Sequence, residues 1–236
     1  MKYHVIALGG SIVVPHLSDN GGINSSFLRQ LRKFLKNEME KGSRFILVIG
    51  GGKTCRVYQK AAREIVRVSN EDLDWLGIHA IRLNAHLLRT VFKKEAYPVV
   101  LDHDPSLREV AKLKASRKRL LVESAWRPGY STDYVAMKTA QKFGAKEVIV
   151  AGDTPYVYDK DPKKFPSARP VREITWAEYQ KLIPGTWIPG LSSPVDPVAS
   201  QVARRAGITA KVLKGSNLAS LASAIQGKPF EGSVIS

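Results

Sequence analysis

The sequence predicts an α/β protein: a largely parallel sheet covered on both faces by helices. Three observations carry that reading. Apolar strand-like runs alternate with helical patterns from end to end; glycine turns stand where two of those runs give way to helices; and 236 residues, 44% apolar and 25% charged, suit one α/β domain or two tightly joined lobes.

The strands are expected at Tyr3 to Leu8, Phe45 to Ile49, Tyr97 to Leu101, Leu120 to Val122, Glu147 to Val150 and Ala210 to Leu213. Helical patterns fall between them. In "SSFLRQLRKFLKNEMEKG", Phe27, Leu28, Leu31, Phe34, Leu35 and Met39 recur at three-and-four spacing, with Ser25 or Ser26 as N-cap and Gly42 as the stop. Further helices are expected near Thr54 to Val66, Glu71 to Phe92, Thr132 to Phe143, Trp176 to Leu182, Pro197 to Ala206 and Leu218 to Ile225. Pro, Gly, Ser and Asp gather in "DTPYVYDKDPKKFPSARP" and "PGTWIPGLSSPVDP", which read as long loops.

Composition narrows the function. Met1 leads straight into the strand-like "KYHVIALGG", without a leader pattern, and no apolar run approaches membrane-spanning length, so a cytoplasmic protein is expected. Cys55 is the single cysteine, which excludes an internal disulfide and a cysteine metal cluster. His4, His16, His79, His86 and His103 show no metal-ligand spacing with a carboxylate and read as structural. Against 21 Asp and Glu stand 37 Lys and Arg, a net charge of +16. That surplus favours an anionic partner (nucleic acid, acidic lipid or a phosphorylated small molecule), yet the cations are scattered in runs such as "RQLRKFLK" and "KLKASRKR", as on solvated helix faces.

The run "FILVIGGGKTCR" ends like an ATP-binding P-loop but is not one, because Leu47 stands where G-x-x-x-x-G-K-[ST] needs its first glycine. What it does supply is a glycine turn, Gly50 to Gly52, between a strand and a helix. A second, "ALGGS" with Gly9, Gly10 and Ser11, follows the first strand. In parallel sheets ligands bind beyond the carboxyl ends of strands, where helix N-termini favour anions. "RPGYSTDYVAMK" adds a turn at Pro128 and Gly129, a cap at Ser131 or Thr132, and Asp133; "YVYDKDP" adds an aromatic ring beside two carboxylates.

Taken in chain order, "ALGGS", "VIGGGKTCR", "LDWLGIHAIRLNAHLL", "RPGYSTDYVA", "VYDKDPKK" and "PVDPVASQVARRAGI", with a closing "GSVI", resemble the uridylate kinases of the amino acid kinase superfamily, the archaeal type especially. The resemblance spans nearly the whole chain. It implies a three-layer α/β/α fold, a hexamer, and transfer of the ATP γ-phosphate to UMP with Mg²⁺. It further implies one domain, 1–236, with an acceptor lobe over 1–120 and an ATP lobe over 121–236. On the acceptor side, Gly50, Gly51 and Gly52 would offer N–H groups to UMP, Arg56 would hold its phosphate, Asp74 would meet the nucleoside, and Thr132 would touch the phosphate from the other lobe. On the ATP side, Gly9, Gly10 and Ser11 would face the transferring phosphate, with Asp153, Tyr158 and Asp161 near adenosine. Arg56, Lys53 and Asp133 are the charged groups expected at the transfer itself, Asp133 orienting basic groups or a magnesium shell.

Three places depart from the family pattern. Ala7 and Leu8 stand where many relatives carry a lysine; Glu123, Ser124 and Ala125 replace a glycine pair; and Asp153, Thr154, Pro155 and Tyr156 reshape the loop usually written "NVDGVY". A carboxylate at Glu123 would repel a triphosphate unless it points away or reaches a metal. Lys53, Arg127 and Lys160 are the candidate compensating cations. Two other readings stand beside the UMP kinase: a kinase of the same fold for another small phosphate ester or acid, and a nucleotide-binding homologue with weak or no transfer activity that uses its basic surface on nucleic acid.

Overall fold

A computed structural model describes residues 3–17, 22–186 and 193–236. The loop expected over 184–197 therefore lies partly outside the described residues. Five strands run parallel at the centre: β1 (Tyr3–Leu8), β2 (Arg44–Ile49), β3 (Leu120–Glu123), β4 (Glu147–Gly152) and β8 (Thr209–Lys214). With β7 (Glu173–Ile174) and β9 (Ser233–Ile235) they form one seven-stranded sheet in the order β3-β2-β1-β4-β8-β9-β7, in which only the β8–β9 pairing is antiparallel. A separate ribbon pairs β5 (Val157–Tyr158) with β6 (Pro170–Val171).

Alternation along the strands divides the core into two layers. Val5, Ala7, Ile46, Val48, Leu121, Val148, Val150, Ala210 and Val212 face one side. There they meet helices α5 (Leu107–Ala115), α6 (Thr132–Phe143), α7 (Trp176–Leu182) and α8 (Pro197–Ala206). Ile6, Leu8, Phe45, Leu47, Ile49, Val122, Ile149 and Leu213 face the other, covered by α1 (Gly10–Val13), α2 (Ser25–Glu40), α4 (Asn70–Val91) and α9 (Leu218–Ile225). Central strands buried on both faces must be apolar at consecutive positions, and Phe45 to Ile49 are fully buried. The three-layer α/β/α architecture is thus observed. Helix α3 (Gly52–Ile65) stands apart, packed on α4 and burying only Gln59 of its own residues.

One expected strand is missing and a helix appears that was not expected. Tyr97 to Leu101 is not a strand: it runs beside β3 through isolated bridges at Ala96 and Leu101, and Pro98 between them has no N–H to extend a ladder. Helix α5, absent from the expected elements, begins with a full capping box in which Ser106 and Glu109 each bond the other's backbone N–H. The N-cap of α2 is Asn24, whose side chain accepts the Phe27 N–H at 3.0 Å, rather than Ser25 or Ser26. Helices α6 to α9 start and end at the residues the sequence indicated.

Candidate active site

Beyond the carboxyl ends of β1, β2, β3 and β4 lies a cleft of about 710 Å³. Its inner edge is where the two glycine turns meet. A Cβ on Gly10 would fall on the backbone of Gly50 and Gly52; one on Gly50 would stand 2.7 Å from the Gly10 nitrogen. Only glycine allows these chains to touch backbone to backbone, and Gly52 also adopts φ +64°, a conformation other residues resist. The cross-strand bond from the Gly50 N–H to the Leu8 carbonyl, 2.9 Å, and that from Lys53 to Val14, 3.0 Å, fasten the second turn to the first.

Most of the residues singled out from the sequence line this cleft: Gly9, Gly10, Ser11, Gly51, Gly52, Arg56, Asp74, Thr132, Asp133, Asp153, Tyr158 and Asp161. Two do not. Gly50 is buried with its N–H already donated to Leu8, so it has no amide to offer a ligand, and the expected glycine trio reduces to Gly51 and Gly52. Lys53 is exposed outside the cleft lining, its helix position spent on the backbone tie to Val14. Of the other two compensating cations, Arg127 and Lys160 do line the cleft.

On the β2 side, Arg56 is exposed on the second turn of α3 and pairs with no carboxylate among the described residues. Asp74, on α4, accepts the Gly129 N–H at 2.7 Å and so ties α4 to the loop that leads into α6. Burial pushes the Asp74 carboxyl up, and the Gly129 bond works against that rise. Burial likewise raises the neighbouring Cys55 thiol, with a lowering contribution from Arg56.

On the β4 side, Ser11 Oγ donates to Asp153 Oδ2 at 2.7 Å, joining the β1 and β4 turns across the cleft. Tyr158 sits on the β5–β6 ribbon, and one Asp161 oxygen caps its own loop by accepting the Lys163 N–H at 2.9 Å. In the altered segment, Asp153, Thr154 and Tyr156 line the cleft, with the Arg172 guanidinium 5.7 Å from the centre of the Tyr156 ring. Proline therefore reshapes this wall without closing it.

The floor is the start of α6. Ser131, not Thr132, is its N-cap, accepting the Tyr134 N–H at 2.9 Å while its hydroxyl donates to Asp196. Asp133 beside it is held well above the usual carboxylate range, first by burial and then by the charge of Asp196. Glu123 is not in this space. It is fully buried beneath α6, where Oε2 accepts from Thr139 Oγ1 at 2.7 Å, and burial pushes its pKa up to about 8. The feared repulsion of a triphosphate is absent because this acid faces the helix layer and is largely neutral.

Sequence reasoning missed Asn84 and Asp196. Asn84 was legible only as a polar residue inside the apolar stripe of "IRLNAHLL"; Asp196 as the Asp-Pro that opens α8, whose Val198 and Ala199 N–H groups it accepts.

A parallel sheet covered by helices on both faces, with a cleft beyond its strand ends edged by two touching glycine turns, defines an α/β/α protein of the kinase class. The pattern of the amino acid kinase family matches residues 2–214, and the chain belongs to that family; it is a phosphotransferase. It is 31% identical over 234 residues to the uridylate kinase of Pyrococcus abyssi, covering 98% of both chains. To that of Methanocaldococcus jannaschii it is 32% identical over 212 residues, 89% of this chain and 90% of the other. The crystal structure of uridylate kinase from Archaeoglobus fulgidus superposes with a TM-score of 0.79 over the full length of both chains at 29% identity.

Proposed function

We propose that the protein is a nucleoside monophosphate kinase that transfers the γ-phosphate of ATP to UMP, giving UDP and ADP. The observation that supports this reading is the backbone contact of Gly10 with Gly50 and Gly52, which brings the two glycine turns together at the edge of one cleft, where each turn would face one of the two phosphates. The names of the relatives favour UMP as acceptor.

In the transfer, an oxygen of the UMP phosphate attacks the γ-phosphorus as the bond to the β,γ-bridging oxygen breaks, and ADP leaves with that electron pair. Such a reaction asks the protein for alignment and charge neutralisation rather than a nucleophile. Gly51 and Gly52 N–H groups and Arg56 hold the acceptor phosphate, with Thr132 opposite; Asp74 orients the nucleoside. Gly10 and Ser11 face the transferring phosphate, while Asp153, Tyr158 and Asp161 serve adenosine and Arg127 and Lys160 replace the missing lysine charge. In this division residues 1–120 serve mainly the acceptor and 121–236 mainly ATP.

Phosphoryl transfer from ATP of this kind uses Mg²⁺, which would reach the site with the nucleotide. Among the described residues no group of three or more His, Cys, Asp or Glu forms a ready cage. A hard cation that keeps its waters and takes one or two carboxylates beside phosphate oxygens suits this donor set. Asp133 is the carboxylate that would hold it, the ion offsetting the charge of Asp196. Bound there, it would neutralise phosphate oxygens. A cytoplasmic homo-oligomer, a hexamer by resemblance, completes the reading; no helix among the described residues is long and apolar enough to cross a membrane.

The test is direct. Purified protein with ATP, Mg²⁺ and each nucleoside monophosphate in turn should release ADP fastest with UMP. Failure to release ADP with any acceptor overturns the proposal. Arg56→Ala should raise KM for UMP about tenfold to a hundredfold, the worth of a hydrogen bond to a charged group, and leave KM for ATP near its original value.

A further inference from the structure

Asn84 lies on α4, 4% exposed, and its Nδ2 donates to two carbonyls in succession: Gly50 at 2.9 Å and Gly51 at 3.2 Å. Those two carbonyls belong to the peptide units whose nitrogens are Gly51 and Gly52. In a trans peptide the C=O and N–H point in opposite directions. A donor that grips both carbonyls from the buried side therefore turns both N–H groups toward the opposite side, and both Gly51 and Gly52 line the cleft. Neither N–H has a partner among the described residues, whereas the Gly50 N–H, one peptide earlier, is spent on Leu8.

We infer that Asn84 is the positioning residue of the acceptor site: one buried side-chain amide fixes two consecutive peptide planes and so aims a pair of N–H donors at the acceptor's phosphate. Glycine at 50 to 52 makes this control necessary, because a run of glycines has little intrinsic preference among peptide orientations. An asparagine rather than an acid is required, since only its NH₂ supplies two donors to two carbonyls. Asn84 touches no substrate itself; it acts through the backbone. The inference rests on the kinase reading for the identity of the acceptor, not for the geometry.

Asn84→Ala and Asn84→Asp test it. The second keeps side-chain volume but sets a carboxylate against two carbonyls. Both variants should raise KM for UMP about tenfold or more, with KM for ATP little changed. In Asn84→Asp the loss should be partly recovered as pH falls, because the protonated carboxyl regains one donor, while the wild type shows no such recovery. A purely structural role predicts a lower melting temperature and less active enzyme with KM for UMP unchanged, and that result in folded variants overturns the inference. A wild-type measurement covers the case in which neither variant folds: amide hydrogen exchange over residues 50–53 should slow on addition of UMP or of inorganic phosphate. Slowing with phosphate but no turnover of UMP would sink the kinase reading and keep this one; no slowing with either ligand would sink this one.

Discussion

At the scale of single residues, Glu123 shows how an acid that looks misplaced in the sequence is made harmless by where it points. The strand alternation that sends Val122 to one face sends Glu123 to the other, beneath α6, where Thr139 donates to one oxygen and the other has no hydrogen-bond partner among the described residues. Its pKa rises from 4.5 to about 8 in the folded state. Between those values unfolding releases a proton that the native state retains, so the contribution of Glu123 to stability is fully present below about pH 4.5 and is lost as pH rises through about 8. Glu123→Gln should therefore flatten the fall in melting temperature across that window, matching wild type near pH 5 and exceeding it near pH 8. Equal melting temperatures of the two proteins at pH 8 would contradict this. The sequence left open whether this acid points away from a triphosphate or reaches a metal, because the direction of its side chain depended on register with β2, which no local pattern encodes.

Among the elements, those with strong local signals were legible and those defined by distant partners were not. Helices α6 to α9 carry caps or an N1 proline in the sequence itself, and their bounds could be read directly. Helix α5 carries an equally plain signal, Ser106 three residues before Glu109, which was obscured by the basic run that follows. Ser106→Ala should cost about 1 kcal/mol of stability, readable as a modest shift in urea midpoint with no change in KM for either nucleotide. Tyr97 to Leu101 misled because its apolar content is that of a strand while Pro98 forbids the ladder. The glycine turns were visible as turns, but their meeting was not: proximity of Gly10 to Gly52 arises from β1 pairing with β2, a contact between segments some forty residues apart in sequence. Gly10→Ala should accordingly abolish turnover and lower the melting temperature together, because its methyl group would fall on two backbone segments; a fully active variant would show that the turns can separate without consequence.

On the scale of the whole molecule, one sheet runs through both halves of the chain. β1 is hydrogen-bonded to β2 on one side and β4 on the other, and α6 from the second half lies over β1 and β2. Residues 1–120 and 121–236 thus share one sheet rather than forming separate folding units. Residues 1–120 and 121–236 produced separately should each lack the cooperative unfolding transition of the intact chain by circular dichroism; a sharp transition in either fragment would show an independent domain. The cleft lining sets five cations (Arg56, Arg127, Lys160, Lys163 and Lys164) against five carboxylates (Asp74, Asp133, Asp153, Asp161 and Asp196), so the surplus of +16 lies outside it, and composition alone never indicated where.

The contact between the two glycine turns carries one more consequence. No side chain intervenes, so in the proposed transfer the interval between donor and acceptor phosphates would be gauged by main-chain thickness alone. Drift in the surrounding walls can retune which base or sugar is admitted on either flank, while the span the phosphoryl group must cross stays constant. Selectivity and reaction distance are thereby uncoupled in the architecture, and a lineage built on this frame is free to diversify its substrates without relearning the chemical step.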